Sequence, residues 1–342
     1  MVFLNTRYFV FSTSNDGTVA RSRNRPYSGS SSTGIMSRLL GALIVLAVVL
    51  VIASLTLDGF FTGSNIENIL VHASFVGLVA VGMTFVIITG GVDLSVGSLV
   101  ALGGVLAGFS VSVGWPLALI VPTLACGIIG LVNGLLIAKA RLPFFIVTLA
   151  GLLGFRGLAL ALSGAQTIAI PGPPTFVWFG RGEILGLDVP IIIMLIAFAV
   201  GALVLNRTPY GEALFAVGGS EEAARLAGVQ VDRVKIIAYT VSGALAGLAG
   251  ALLAARLSAG QPVVGAAWEL DAIAAVVVGG TLLTGGYGTM SGSLVGVLLL
   301  GVLQNLINQV GTLSSYTQQM ASGAFLIIVV TIQIYLTRKR NL

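Results

Sequence analysis

Residues 81–98 read Val81-Gly-Met-Thr-Phe-Val-Ile-Ile-Thr-Gly-Gly-Val-Asp-Leu-Ser-Val-Gly-Ser98. The apolar run before the two glycines completes a stretch long enough to cross a bilayer, which takes roughly 17 to 25 residues. Asp93 follows the glycines and precedes the next apolar run, and a short acidic side chain in that position favours the start of a helix. One membrane span therefore ends in this stretch and another begins.

The rest of the chain has the same character. Of its 342 residues, 56% are hydrophobic, only 8% are charged and 46 are glycines, which favour close packing between membrane helices. The sequence therefore predicts an all-α integral membrane protein with about ten transmembrane helices. The expected spans are 38–57, 68–89, 93–112, 116–138, 143–163, 188–206, 232–257, 270–285, 290–310 and 314–337.

Several kinds of chemistry are excluded by residue type. A single cysteine, Cys126, and a single histidine, His72, cannot form a disulfide framework, a zinc site or a Cys/His catalytic pair. No lysine in the chain follows a glycine, so the Gly-Lys-Ser/Thr ending of a phosphate-binding loop is absent. We expect no metal or cofactor in this chain, and any ATP hydrolysis has to come from a partner.

The charges indicate topology. Residues 1–35 are rich in Ser, Arg and Asn and lack an apolar span, so we interpret them as a disordered cytoplasmic tail. Met36, directly before the first span, is the hypothetical true start, and the transmembrane domain would then be 36–342. The net charge of +5 lies in loops and tails, which is typical of membrane orientation and not of nucleic-acid binding. With ten spans, this distribution of positive charge predicts that both termini lie in the cytoplasm.

The cytoplasmic loop near 207–232 contains a compact helix signal. Ser220 is a good N-cap, Glu221 lies in the first turn and forms an i,i+4 pair with Arg225, and Gly228 suits a left-handed stop. A helix of about seven residues is unstable alone in water, so it needs a surface to lie against. That surface is either a groove in a partner or the chain's own bundle.

Three segments carry a resemblance to a known family. Glu222-Ala-Ala followed by Gly228, residues 81–98, and Glu269-Leu-Asp-Ala-Ile-Ala-Ala-Val-Val-Val-Gly-Gly-Thr281 resemble permeases of ABC importers for ribose, xylose and galactofuranose. These are relatives of the branched-chain amino-acid permeases. The resemblance covers roughly residues 38–337.

The resemblance implies a bundle of the vitamin-B12-permease type (type II ABC importer) in the cell inner membrane. It implies cytosolic ABC ATPase subunits that hold ATP and Mg, a second permease subunit, the same or paralogous, and an external sugar-binding protein. It also implies that the loop couples to the ATPase. The coupling residues would be Glu221, Glu222, Ala223, Ala224, Arg225 and Gly228.

Neutral polar residues are the candidates for the substrate path. Gln304, Asn305 and Asn308 gather on one side of the ninth span, and carboxamides both donate and accept hydrogen bonds, as sugar hydroxyls require. Asn133 and Thr148 are further candidates. The alternative is that these side chains hold helices together. Asp93 and Asp271 are interpreted as structural helix caps.

Three other functions remain to be weighed. The chain could transport a branched-chain amino acid or a nucleoside instead of a sugar. An ion-coupled secondary transporter would explain the spans, but such proteins normally carry buried ionisable residues, which are scarce here away from predicted helix ends. A membrane enzyme is disfavoured because no set of catalytic side chains converges within the spans.

Overall fold

The computed structural model describes residues 32–56, 59–171 and 174–309, together with the isolated positions 320 and 323. Over those residues the chain is helical apart from short connections and four two-residue strands. The helices are α1 (Ser32–Thr56), α2 (Gly63–Ile88), α3 (Val96–Ser110), α4 (Trp115–Ala138), α5 (Phe144–Ser163), α6 (Pro174–Arg181), α7 (Val189–Arg207), α8 (Pro209–Gly219), α9 (Glu221–Leu226), α10 (Val231–Leu257), α11 (Trp268–Val278) and α12 (Met290–Gln309). The strands are β1 (Ile168–Ala169), β2 (Glu183–Ile184), β3 (Leu187–Asp188) and β4 (Ala259–Gly260).

Six of the described helices, α2, α4, α5, α7, α10 and α12, are long and apolar enough to cross a membrane. Their bounds lie within five residues of six predicted spans. α1 contains a shorter apolar stretch, Leu40–Leu55. The predicted span 314–337 lies outside the described residues, apart from positions 320 and 323. An all-helical multi-span protein is therefore confirmed, and a total of about ten helices remains a prediction.

Two helices, α3 and α11, are shorter than the spans predicted for them. The prediction of a span over 270–285 is wrong in length, because α11 has 11 residues, or about 16 Å at about 1.5 Å per residue. Gly280, at φ +95°, turns the backbone away directly after it. α3 has 15 residues instead of the 20 predicted, because residues 93–95 form the bend held by the Asp93 side chain and the helix begins only at Val96. Only the span predicted over 270–285 counted apolar residues across a glycine break.

Helix α10 lies at the centre of the bundle, against α2, α3 and α4. Glycines make this possible, because a Cβ added at Gly243 would lie 2.3 Å from the Cys126 carbonyl oxygen, and one at Gly250 only 2.1 Å from that of Val100. Backbones that approach so closely gain van der Waals contact along their length. The predicted role of glycine in tight packing is borne out at this contact, which we call the α10 seam.

The two ends of the bundle differ. At one end, β1 pairs with β4 in antiparallel fashion and β2 pairs with β3 in a hairpin; we call this the hairpin end. At the other, the α4–α5 turn (139–143), α8 and α9 lie together, and the Gly286 amide donates to the Ile88 carbonyl at 2.9 Å. We call this the α9 end. The connection between α5 and α7 contains α6 and the hairpin.

The chain divides into two compact units, Met1–Met36 and Ser37–Leu342. Residues 1–31 lie outside the described residues, so the disordered tail and the start at Met36 stay predictions. The last four residues assigned to that tail, 32–35, belong instead to α1. Short polar residues are common at a helix start, which is why composition placed them with the tail.

Candidate functional site

Helix α9 has the local geometry predicted for it. The Ala223 amide donates to Ser220 Oγ at 3.2 Å, and Gly228 adopts a left-handed backbone with φ +85°. The amide of Val229 donates back to the Ala224 carbonyl at 3.0 Å, which closes the last turn. The predicted N-cap and glycine stop are both confirmed, so a helix of six residues is delimited by its own sequence.

One side of α9 lies on the bundle and the rest faces outward. Ala224 is buried, whereas Ala223 and Ala227 are exposed and Leu226 is 84% exposed. The apolar face formed by Ala223, Leu226 and Ala227 therefore points away from the chain's own core. A leucine this exposed on a capped helix is suited to a partner's apolar surface.

Ion pairs fix the position of α9 against the start of α10. Arg225 donates to Glu221 at 3.3 Å and to Asp232 at 3.1 Å, and Lys235 donates to the other oxygen of Glu221 at 2.5 Å. The hydrogen bond from Lys235 is the largest reason why the pKa of Glu221 lies below its usual value. Glu222 has no ion-pair partner among the described residues, so it remains available for a partner.

A cleft of about 540 Å³ separates α9 from the α4–α5 turn. We call it the α9 cleft; its lining includes Arg141, Leu142, Glu221, Glu222, Arg225 and Lys235. This cleft could not be predicted from the sequence, because its two walls lie some eighty positions apart along the chain. It adds the α4–α5 turn to the candidate coupling surface.

The carboxamides of α12 do not share one environment. Asn305 exchanges two hydrogen bonds with Asn65 of α2, at 2.8 and 3.2 Å. Gln304 donates to Asp271 of α11 at 3.3 Å, and Asn308 is exposed. Two of the three predicted path residues therefore join helices in this structure, as the alternative interpretation held.

A polar network fills the interior beside α3. Asp93 is completely buried and accepts from the Ser95 amide at 3.1 Å, from Ser95 Oγ at 2.6 Å and from Ser242 Oγ at 2.9 Å. Asn133 donates to Ser95 Oγ at 3.2 Å, and Thr148 donates to the Phe144 carbonyl at 2.8 Å. The two remaining path candidates, Asn133 and Thr148, thus make internal hydrogen bonds.

The two predicted acidic caps need correction. The N-cap of α3 is Ser95 and that of α11 is Ala267. Asp93 instead holds the bend before α3 together through the three bonds given above. Asp271 lies within the first turn of α11, where the helix dipole favours a negative charge. Both carboxylates support helix starts, but neither caps one.

Arg156 is a polar residue that the sequence analysis missed. This half-buried side chain of α5 donates to the carbonyls of Pro262, Val264 and Gly97, at 2.9, 2.6 and 3.3 Å. It ties α5 and α3 to the segment before α11. The sequence feature that could have identified Arg156 was its position, as a charged residue, in the middle of a predicted membrane span.

One group of carboxylates meets the geometric requirement for a cation. Oxygens of Glu67, Glu183 and Asp188 lie within 4.8 Å of one another at the hairpin end. Asp188 is already paired with Arg256 at 2.7 Å. The negative charge of this group is therefore partly neutralised within the chain.

A bundle of apolar helices, with a hydrogen-bonded polar network inside it and a short charged helix exposed at one end, defines a multi-pass membrane protein. Comparison with known proteins gives the family. The family described as "Branched-chain amino acid transport system / permease component" matches residues 65–330, and the chain belongs to it.

Its relatives match over most of their length. A ribose import permease protein of Bacillus subtilis (strain 168) is 44% identical over 311 residues, or 90% of this chain and 95% of the relative. An L-arabinose ABC transporter permease protein of Azospirillum brasilense is 39% identical, covering 88% of this chain and 89% of the relative. A xylose transport system permease protein of Escherichia coli (strain K12) is 32% identical, covering 89% and 94%. No solved structure matches the chain. The resemblance to sugar permeases is confirmed.

Proposed function

We propose that this chain is the permease subunit of an ABC importer that carries a monosaccharide of the ribose, arabinose and xylose kind across the cell inner membrane. The observation that carries the proposal is the 44% identity to a ribose import permease protein over 90% of the chain. Comparable identity to arabinose and xylose permeases favours a sugar over a branched-chain amino acid or a nucleoside.

The exposed face of α9 is the proposed coupling element. Leu226 and Glu222 face outward without a partner among the described residues, and Ala224 keeps the helix on the bundle. We assign ATP and Mg to separate cytosolic ABC ATPase subunits, whose groove receives α9. Glu221 and Arg225 keep α9 in place, and Gly228 ends it.

Charge supports a cytoplasmic location for the α9 end. Lys139, Arg141, Arg207 and Arg233 lie in or beside connections at that end, as the positive-inside rule expects of a cytoplasmic face. The hairpin end then faces outward, where an external sugar-binding protein delivers the cargo. A second permease subunit and a ten-span bundle of the vitamin-B12-permease type complete the proposed assembly.

The substrate path is proposed to be lined by neutral polar groups. Asn308 is exposed, and Gln304 and Asn305 are partly so, on the same side of α12. Carboxamides exchange hydrogen bonds with hydroxyls without carrying charge into an apolar setting. Asn133 and Thr148 are buried and reach a sugar only if their internal bonds open.

Reconstitution tests the function. The chain is purified with a cognate ABC ATPase and sugar-binding protein, placed in liposomes, and assayed for ATP hydrolysis and uptake of labelled solutes. We expect ribose, arabinose or xylose, with the loaded binding protein, to stimulate both. Uptake of leucine or a nucleoside, or uptake driven by an ion gradient without ATP, would contradict the proposal.

A charge reversal tests the role of α9 within the same assay. We expect Glu222→Lys to weaken ATPase binding roughly tenfold, about 1.4 kcal/mol, because its carboxylate is unpaired within the described part of the chain. Glu212→Lys, an equally exposed change on α8, is the matched control and should bind normally. Equal binding by both variants would remove Glu222 from the interface.

A further inference from the structure

The α9 cleft has the dimensions of a binding site. Its volume of about 540 Å³ lies within the range of roughly 300 to 1,000 Å³ usual for ligand sites. One wall is α9 and the other is the α4–α5 turn. A partner that only received α9 in a groove of its own would leave the second wall uncovered.

The charges of the cleft indicate what kind of group fills it. Glu221, Arg225 and Lys235 are already committed to ion pairs. Arg141 on the turn and Glu222 on α9 have no ion-pair partner among the described residues. One free positive and one free negative group, on opposite walls, do not suit a phosphate or an anionic lipid head group, because Glu222 would repel it. They suit a polypeptide that carries both signs.

The backbone at Arg141 is unusual. Its φ is +56°, in the left-handed region, although it is not glycine. That conformation costs an ordinary residue roughly 1 to 2 kcal/mol, and such positions cluster where a side chain has a function. Here the conformation ends α4, where the Leu142 amide donates to the Leu136 carbonyl at 3.1 Å, and it belongs to a residue that lines the cleft.

Apolar side chains flank the charges. Leu142 lines the cleft and is 44% exposed, whereas Leu226, 84% exposed, lies on α9 outside that lining. Exposed apolar side chains beside unpaired charges provide the mixture of apolar and polar contacts found at protein interfaces. The surface is therefore continuous from α9 across the cleft to the turn.

We propose that the α9 cleft receives a segment of the cytosolic ABC ATPase, so that the ATPase contacts the α4–α5 turn as well as α9. The segment presents a carboxylate to Arg141 and a cation to Glu222. This inference rests on the proposed function and extends it, because it assigns the turn, and Arg141 in particular, to the coupling interface.

Cysteine labelling tests the contact directly. Cys126 is the only cysteine of the chain and is fully buried, so an introduced cysteine reacts alone. Arg141→Cys, Leu226→Cys and Leu185→Cys are labelled with a maleimide in liposomes, without the ATPase and with enough ATPase to saturate even a weakened binding site. We expect the ATPase to slow labelling at least tenfold at Arg141→Cys and Leu226→Cys. Leu185→Cys, at the tip of the hairpin, should label at the same rate in both.

The outcomes separate the two ideas. Protection of Leu226→Cys without protection of Arg141→Cys would overturn the inference and leave the proposed function standing. Protection of neither would contradict both. Protection of Arg141→Cys in liposomes containing phosphatidylglycerol, without ATPase, would assign the cleft to lipid and also overturn the inference.

A substitution series separates charge from backbone geometry. We expect Arg141→Lys to bind the ATPase within about threefold of the unchanged chain, because the charge is kept. Arg141→Glu should bind at least tenfold more weakly. Arg141→Gly relieves the left-handed strain but removes the charge, so it should also bind at least tenfold more weakly. Normal binding by Arg141→Gly would show that only the backbone matters and would refute the proposed contact.

Discussion

Asp93 is enclosed by hydrogen-bond donors. Three donors from Ser95 and Ser242 point at its carboxylate, and within the described parts of the chain no cation forms an ion pair with it. A buried carboxylate without such donors would be very costly. The short segment between α2 and α3 therefore depends on this one side chain for its shape.

Replacing Asp93 tests that dependence. We expect Asp93→Ala to lower stability by about 1 to 3 kcal/mol, because three buried donors lose their acceptor. Asp93→Asn keeps an acceptor oxygen of the same size, and the two hydroxyls can rotate to suit it, so its loss should be smaller. Thermal unfolding in detergent measures both. A more severe loss for Asp93→Asn than for Asp93→Ala would contradict this account.

Roles that depend on residues close together in the sequence could be predicted, whereas roles that depend on residues far apart in the sequence could not. Ser220, Gly228 and the Glu221–Arg225 pair act within a few positions of one another, so helix-capping and pairing rules identified them. Asn305 and its partner Asn65 are 240 residues apart. Spacing along α12 showed that carboxamides share a side but gave no information about what faces them.

At the scale of elements, α9 depends on its two boundaries. With only six residues, it has one buried side chain, Ala224, to hold it on the bundle. Most of its order therefore comes from the Ser220 cap, the Gly228 stop and the ion pairs to α10. A change at either boundary should loosen the whole helix.

Gly228→Ala tests the boundary. Alanine at φ +85° is strained by roughly 1 to 2 kcal/mol, so we expect amides of α9 to exchange with deuterium about ten times faster. Gly219→Ala is the matched control, since Gly219 has a negative φ and open space around a Cβ. Equal exchange in the two variants would mean that Gly228 does not set the end of α9.

The predicted length of α11 was wrong because glycines interrupt the apolar run. Hydropathy continues through Gly279 and Gly280, but Gly280 cannot continue a helix with φ +95°. The span predicted for α3 was too long for a different reason, because residues 93–95 form a bend held by Asp93. Hydropathy averages over such positions, whereas the backbone conformation changes at each one.

For the whole molecule, the main determinant of packing is the α10 seam. Hydropathy alone predicted six of the membrane helices to within a few residues. It could not predict their arrangement, because that depends on which glycine meets which carbonyl. Gly250 beside Val100 and Gly243 beside Cys126 are examples that only three-dimensional packing reveals.

Alanine substitution tests the seam. We expect Gly250→Ala to destabilise the bundle by roughly 1 to 3 kcal/mol, since its Cβ would lie 2.1 Å from the Val100 carbonyl oxygen. Gly154→Ala on α5 is the control, because nothing lies within 4 Å of its added Cβ. Yield of monodisperse protein and thermal unfolding compare them. Equal stability would show that the seam tolerates side chains.

The α10 seam also limits how the length of this chain can vary. A single residue inserted between Gly243 and Gly250 would rotate the rest of α10 by about 100°. Ala249 would then occupy the position of Gly250, where even a methyl group does not fit. Insertions and deletions that natural relatives tolerate should therefore fall in the connections at the two ends of the bundle and spare the interior of α10.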